Sequence, residues 1–466
     1  MSESHILSPE IVKACDIRGV VGTDLTEVDA YAIGRAFGTM IGRMEKKRCI
    51  IGYDGRHSSP LLADETVRGL QASGIDVLMI GLVPTPVVYY AVPFCHAGAG
   101  IIVTASHNPP EYNGFKFVLD DAVFHGDSIK QLVRICRGAD YDNGEGTLEK
   151  IDIIDDYINY LYTFVSLRKG YAPSVVWDPG NGATAVVLDR FIAKIPGIHT
   201  IICGKVDGDF PYHHPDPSLR GNMVMLQQKV MELHADLGIA FDGDGDRVGV
   251  VDNEGCIVSG DQLLTIYACD LLSRHPGASI MSEVKASRLF YDEVKAHGGL
   301  PIMWKVGHTN QKERMWKEGI PLAGETSGHI FFQENNGYDD ALFSAVKLLN
   351  ILSSSQKTLA AMRKEFPAYY NSGEIRLPLP ADRRIKVIEQ IRKQLETSDR
   401  SFTDVDGLRV PSGSGFWLLR GSNTQPHMTI RCEAASKKGL EQCISDLREQ
   451  LLLAGIDYDR QKVVME

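Results

Sequence analysis

Apolar residues along this chain fall in short runs that alternate with longer amphipathic stretches. In the first third, RCIIGYD (48–54), IDVLMIGL (75–82) and AGIIVTA (99–105) have the length and β-branched content of buried strands. Between the first two, SSPLLADETVRGLQAS repeats apolar positions at helical spacing behind a serine start. The alternation resumes with SVVWD, a helix from about Ala183, HTIICGK, a helix around MLQQKVMELHA, and LGIAFD. After the hairpin-like RVGVVDNEGCIV comes a third round: a helix around DQLLTIYACDLLSRH, SIMSEVK, a helix, LPIMWKV, a helix and LAGETSGHIFF. Such alternation predicts βα units on mostly parallel sheets. Rounds of similar size predict a repeated module, although no strict sequence period is present.

From about Ser372 the pattern changes to a strand, a long charged helix (ADRRIKVIEQIRKQLE), further strands and a final helix (KKGLEQCISDLREQLLLA). The expected architecture is three similar mixed α/β domains, at 1–152, 153–256 and 257–370, followed by a smaller C-terminal α+β domain at 371–466. A length of 466 residues agrees with several domains, because it exceeds what one hydrophobic core accommodates.

Composition narrows the function classes. Lys+Arg 49 against Asp+Glu 60 gives a net charge of -11 with no long basic block, which argues against nucleic-acid binding. No apolar run approaches the roughly 18 residues that span a membrane. The start, MSESHILSPE, lacks the basic-then-apolar pattern of a secretory signal. The 9 cysteines are scattered without a CxxC pair, as expected of reduced thiols. A cytoplasmic protein without membrane or nucleic-acid partners is expected.

Several loops carry candidate chemistry. In FDGDGDRVGVVD, Asp242, Asp244 and Asp246 alternate directly after an apolar strand. Carboxylates at this spacing can converge on one hard cation, Mg²⁺ or Ca²⁺, the other reading being a solvated acidic turn. A calcium-binding EF-hand loop is excluded by Arg247 where glycine is required and Asn253 where the bidentate glutamate belongs. Arg247 is a natural phosphate partner beside the cation. In RGSNTQPHMTIR, Ser422, Asn423 and Thr424 offer donors, Gly421 permits close backbone approach, and Arg420 and Arg431 flank them, a set suited to a phosphate dianion or to an ordinary polar turn. LAGETSGHIFF ends a predicted strand in Glu325, Ser327 and His329, which read either as one strand face suited to sugar hydroxyls or as a plain polar turn. Lys285 and His308 follow apolar strands, where α/β folds place ligands. Gly180-Asn181-Gly182-Ala183-Thr184-Ala185 approaches a dinucleotide fingerprint, but Asp178 and Pro179 crowd its turn. Finally, VTASHNPP carries Ser106 and His107 at the tip of a buried strand and stiffens the exit with two prolines.

Together, TASHNP (104–109), DGDGD (242–246), GETSGH (324–329) and RGSNTQP (420–426) resemble, in order and spacing, the four active-site motifs of the α-D-phosphohexomutases. The likeness covers nearly the whole chain, with DIRGVVG, DGRHSSP, VPTPVVYYA, DGDFPYHHPDP and VGHTNQKERM in support. It is strongest toward the bacterial enzymes acting on mannose and glucose phosphates. The resemblance implies four domains around a central cleft, a monomer, and hexose phosphates as small-molecule substrates. It makes Ser106 the phosphoserine, with Asp242, Asp244, Asp246 and a phosphoserine oxygen holding Mg²⁺. It makes a hexose 1,6-bisphosphate the intermediate, which turns around and returns its other phosphate to Ser106. Arg18, Lys116, Arg247, Lys285, His308 and His329 match positive or acid/base positions, with His329 the expected proton-transfer group and Arg18 and Lys116 neutralising charge. Glu325, Thr326, Ser327 and Gly328 would contact the sugar, and Arg420, Gly421, Ser422, Asn423, Thr424 and Arg431 the non-reacting phosphate. Departures are Cys15 where relatives carry tyrosine, Val306 in place of a threonine, and His427 in the phosphate loop. The rival readings are a phosphoglucosamine-type mutase, a Mg²⁺-dependent sugar phosphatase, and a sugar-phosphate binder without catalysis.

Overall fold

In this computed structural model, residues 4–421, 427–457, 464 and 465 are described. Their strands form four sheets. The first contains β1 (Ile17–Val20), β2 (Arg48–Tyr53), β3 (Asp76–Leu82), β4 (Gly98–Val103), β5 (Tyr112–Leu119) and β6 (Leu148–Lys150), in the order β1-β5-β4-β2-β3-β6. Strands β4, β2, β3 and β6 are parallel, as the βα alternation predicts, whereas β5 runs antiparallel to both β4 and β1. Helices Glu27–Arg43 and Ser59–Ala72 cover one face of this sheet. The first is started by a capping box in which Thr26 and Asp29 satisfy each other's backbone N–H groups. The two helices approach closely because a Cβ at Gly34 or Gly69 would stand 2.3 Å from a carbonyl oxygen of the other.

The second sheet contains β7 (Ser174–Asp178), β8 (Ile198–Ile201), β9 (Leu237–Phe241), β10 (Val248–Asp252) and β11 (Ile257–Val258), in the order β11-β10-β9-β7-β8. Its inner strands are parallel, and β10 turns back antiparallel on β9 in register Val248 with Phe241. A third, parallel set places β12 (Ser279–Glu283) between β13 (Leu300–Trp304) and β14 (Leu322–Gly324). The chain then turns into β15 (Ile330–Phe332).

The last sheet is antiparallel, as the change of pattern after Ser372 predicts. It comprises β16 (Tyr370–Asn371), β17 (Ile375–Pro378), β18 (Leu408–Ser412), β19 (Gly415–Gly421), β20 (His427–Ala434) and β21 (Val464–Met465). Helices Ala381–Thr397 and Lys437–Leu453 pack on one face through Val387, Ile391 and Leu395 and through Cys443, Leu447 and Leu451, against Trp417, Leu419 and Ile430. The four-residue spacing of those side chains is the apolar stripe the sequence predicts.

The chain divides into two compact units, Met1–Ser259 with Ser327–Ala360, and Gly260–Thr326 with Ala361–Glu466. No described helix is long and apolar enough to cross a membrane, and no disulfide joins the cysteines.

In the first unit, Asp340 caps helix Ala341–Ser355 by accepting the Phe343 N–H at 2.9 Å, and both its oxygens accept from the Tyr157 hydroxyl at 3.0 Å. Burial outweighs these hydrogen bonds and pushes its pKa up to about 6. A carboxyl group with a raised folded-state pKa contributes stability at low pH that is lost as pH rises from its unfolded to its folded value. Asp340→Asn keeps an amide cap and removes the buried charge. The unfolding free energy of D340N relative to the parent should therefore rise between about pH 4 and about pH 6, by at most about 3 kcal/mol, and the difference in melting temperature with it. A difference that is flat across this window would count against the raised pKa.

Candidate active site

Ser106 sits in the connection between antiparallel strands β4 and β5, nearly buried at 2% exposure and in the left-handed backbone region at φ 51°. A non-glycine residue holds that conformation only where its surroundings enforce it. Here the enforcing group is Arg56, a fully buried guanidinium. Its Nη1 donates to the carbonyls of Pro109 (2.5 Å) and Tyr112 (3.1 Å), and its Nη2 to those of Ser106 (2.8 Å) and Asn108 (2.6 Å). Nε donates to Asp54 Oδ2 at 3.1 Å. Asp54 also accepts from the hydroxyls of Thr104 (2.7 Å) and Ser59 (2.5 Å), and Thr104 Oγ1 accepts the Ser106 N–H at 2.8 Å. The loop that presents Ser106 is thus tied at every turn. The two prolines noted in the sequence are only part of its rigidity.

The acidic turn occupies the equivalent connection between β9 and β10. Asp242 Oδ1 accepts the N–H groups of Gly245, Asp246 and Arg247 at 3.0–3.2 Å, and its Oδ2 accepts the Ser106 hydroxyl at 2.8 Å. Lys116, in the interior of β5, reaches Asp244 Oδ2 at 2.6 Å and Asp246 Oδ2 at 2.5 Å. Thr85, which begins helix Thr85–Phe94, donates its hydroxyl to Asp244 Oδ2 at 2.6 Å. Burial works against the Lys116 ammonium, but Asp244 and Asp246 outweigh it and its pKa is raised. Burial, with Asp246 and Asp244 nearby, pushes Asp242 well above the usual carboxylate range.

Lys116, with Arg247 at 3.9 Å from Asp242 Oδ2, does not balance three buried, converging carboxylates. The second oxygens of Asp244 and Asp246 are buried and accept no hydrogen bond. An all-oxygen donor set with uncompensated negative charge fits a hard divalent cation.

Cationic groups ring the same point. Arg18 donates to Asp16 at 2.6 Å and to Asn108 at 2.7 Å. Arg247 Nε donates to His329 Nε2 at 2.9 Å, while His329 Nδ1 lies 2.9 Å from Asp339 Oδ2 and 3.6 Å from Asp246 Oδ1. His107, 3.0 Å from the Ser106 hydroxyl, is held well below the ordinary imidazole pKa by burial and by the charges of Arg247, Arg18 and Lys116. The first unit therefore gathers Ser106, Arg18, Lys116, Arg247, His329 and the three aspartates at one site.

Of the two readings of Glu325, Ser327 and His329, the shared strand face is corrected and the polar turn holds. β14 ends at Gly324 and β15 starts at Ile330, so these residues occupy a turn and share no strand face. Gly328 makes that turn, with φ 97° and a position where a Cβ would lie 2.4 Å from the Val248 carbonyl oxygen. Ser327 and Gly328 belong to the first unit.

In the second unit, Glu325 Oε1 accepts the Gly307 N–H at 2.5 Å, immediately before His308, the first residue of helix His308–Glu318. Thr326 donates its N–H and hydroxyl to Glu283 Oε1 at 2.9 and 2.5 Å. Lys285 lies 3.4 Å from Glu374 and 3.7 Å from Glu283, whose charges outweigh burial and raise its pKa. Arg420 pairs with Asp406 at 3.2 Å near the end of β19, which finishes at Gly421, and Arg431 pairs with Glu433 at 3.1 Å on β20. Ser422, Asn423 and Thr424 lie outside the described residues.

Sequence reasoning missed Arg56, Asp54, Thr85 and Asp339. Asp54 and Arg56 stand in DGRHSSP, just past the buried strand RCIIGY, and Thr85 in VPTPVVYYA, stretches that support the resemblance but to which it assigned no role. Asp339 is paired with its histidine only by the fold.

Similarity to known proteins agrees with this geometry. Residues 9–140, 155–255 and 259–370 match the family models for alpha/beta/alpha domains I, II and III of phosphoglucomutase/phosphomannomutase. The chain is 40% identical over 452 residues to the phosphomannomutase/phosphoglucomutase of Pseudomonas aeruginosa, covering 97% of each. It is 38% identical over 440 residues to the phosphoglucomutase of Neisseria gonorrhoeae, covering 93% of this chain and 95% of that one. The crystal structure of a phosphoglucomutase/phosphomannomutase family protein from Burkholderia thailandensis superposes with a TM-score of 0.91 at 36% identity, over 97% of this chain and 99% of that chain. With Ser106, the acidic turn and their cationic ring in place, the chain belongs to the phosphoglucomutase/phosphomannomutase family of α-D-phosphohexomutases.

Proposed function

We propose that the protein reversibly converts hexose 1-phosphates and hexose 6-phosphates of the glucose and mannose series, through phospho-Ser106 and a bound hexose 1,6-bisphosphate. The observation that carries this reading is the Ser106 hydroxyl, 2.8 Å from one carboxylate of a buried acidic triad that is itself paired to Lys116. Mg²⁺ held by Asp242, Asp244 and Asp246 would withdraw charge from the phosphoryl group and orient it for in-line transfer.

The chain's own residues account for the rest. The Ser106 Oγ–P bond breaks as a P–O bond forms to the free sugar hydroxyl. That hydroxyl's proton passes to His329 Nε2, the nitrogen that otherwise accepts from Arg247. Arg18, Arg247 and Lys116 offset the negative charge of the transferred group. After the bisphosphate turns around, the same steps run in reverse from its other phosphate. Lys285, His308, Glu325, Thr326, Ser327 and Gly328 would hold the sugar, and Arg420, Gly421, Ser422, Asn423, Thr424 and Arg431 the phosphate that is not reacting. The enzyme would act as a cytoplasmic monomer.

The test is a coupled assay on glucose 1-phosphate and mannose 1-phosphate with trace 1,6-bisphosphate, with free phosphate followed in parallel. Formation of 6-phosphate without phosphate release is the expected result. Phosphate release without isomerised product would replace the mutase by a phosphatase. Removal of the metal by a chelator should lower turnover by at least about 10²-fold, restored by Mg²⁺. Full activity after exhaustive chelation would count against a cation at the acidic turn.

A further inference from the structure

A second set of ligand-type side chains lies in the first unit, outside the Ser106 site. Asp178 is the last residue of β7, Cys203 lies just beyond β8, and His213 is in the segment between β8 and helix Val224–Leu233. The carboxylate, thiol and imidazole donor atoms all lie within 4.8 Å of one another. Asp178 Oδ2 is 3.0 Å from His213 Nε2, and Asp178 Oδ1 accepts the Gly180 N–H at 3.0 Å. His213 Nδ1 is 3.0 Å from the His214 carbonyl oxygen, to which it donates. Cys203 is held by its own carbonyl, which accepts the Asn181 N–H at 2.9 Å.

We propose that Asp178, Cys203 and His213 form a Zn²⁺ site, distinct from the acidic turn. A mixed sulfur, nitrogen and oxygen set selects a borderline-soft cation, whereas the three aspartates select a hard one. The outer contacts have the form found around bound zinc. The histidine gives its other N–H to a backbone carbonyl, and the carboxylate is fixed by a backbone N–H. Tetrahedral Zn²⁺ with bonds of about 2.0–2.3 Å separates its ligands by about 3.3–3.6 Å, so small side-chain shifts suffice. Three protein ligands leave a fourth position for water, and the His213 edge, 11% exposed, supplies the entry path.

Thiolate, carboxylate and neutral imidazole carry two negative charges, which balance Zn²⁺. Loading expels the Cys203 thiol proton and the Nε2 proton of His213. The site would tie β7 to the segment behind the acidic turn, where the Pro215 carbonyl accepts the Gly243 N–H at 3.2 Å. Other clusters are weaker. His57 and Asp209 are 69% and 73% exposed and lie with Asp207, without a thiol, and Cys269 with Glu293 and His297 lies on partly exposed helices.

The test uses the full chain, freed of metal and titrated with Co²⁺ in excess Mg²⁺, which occupies the oxygen-only site. The expected result is one equivalent of Co²⁺ with a thiolate-to-cobalt charge-transfer band and the intense visible bands of four-coordinate cobalt, both displaced by Zn²⁺. Cys203→Ser and His213→Gln, with folding checked by circular dichroism, should lose these bands. A readout that needs no variant is selective protection of Cys203 from alkylation by Zn²⁺, located by peptide mass mapping. Absence of the charge-transfer band in the unaltered protein, or a band that survives C203S and vanishes in C269S, would overturn the proposal.

Discussion

Replacing Ser106 by alanine is expected to lower the kcat for hexose-phosphate isomerisation by more than about 10³-fold, the scale on which removal of a covalent nucleophile acts. Among the described residues the neighbouring hydroxyls are already engaged, that of Thr85 with Asp244 at 2.6 Å. Thr104, the nearest in the loop, has its hydroxyl donated to Asp54 at 2.7 Å and its oxygen occupied by the Ser106 N–H. Folding should be little affected. Asp242 loses one hydrogen bond and keeps three from backbone N–H groups, a cost of about 1 kcal/mol. The signature is therefore an S106A protein of near-normal melting temperature that takes up no phosphoryl group from hexose 1,6-bisphosphate, read by intact mass. S106A retaining more than about a tenth of the activity would sink the phosphoserine assignment and the proposed two-step transfer with it.

Arg56→Met should instead damage both stability and turnover. The buried guanidinium donates to four carbonyls of the Ser106 loop and neutralises Asp54, so its removal strands all of them at once. Breaking a buried pair of this kind costs about 3–5 kcal/mol. The loop it releases carries Ser106 at a positive φ that nothing local favours, and a shift of about 1 Å in a reacting group costs about 10²-fold in rate. Lysine restores charge but presents a point ammonium where a planar fork is used, so Arg56→Lys should recover part of the stability and little of the kcat. Denaturation midpoints and kcat for the two variants test this directly. An R56M enzyme with normal kcat would mean that the loop holds Ser106 by other contacts.

The departures from sequence expectation have identifiable causes. β5 escaped notice because YNGFKFVL mixes glycine, asparagine and lysine with its apolar residues. Its lysine is buried only because the acidic turn lies opposite. The stretch 325–329 reads in sequence as a strand end or as a polar turn, because its side chains alternate between glycines, and the positive φ of Gly328 makes it the turn. Cys203 drew attention only as an unpaired thiol, since nothing near it in sequence announces Asp178 or His213.

By itself, the sequence determined the elements and the chemical inventory. Burial periodicity and capping act between near neighbours, so strands such as AGIIVTA and the apolar stripe of ADRRIKVIEQIRKQLE are encoded where they stand. The four motifs were legible for the same reason. Three of them, TASHNP, DGDGD and GETSGH, are short stretches between consecutive strands, where the chain must turn. Only the tertiary structure decided which of those groups meet. Lys116 reaches Asp244 across 128 positions and His329 reaches Arg247 across 82. Such meetings depend on strand order and register, which are set by the collective packing of each sheet and by no single residue. The rigidity of the Ser106 loop was decided there too, because it comes from Arg56, a side chain 50 residues away that only the folded sheet brings beneath it.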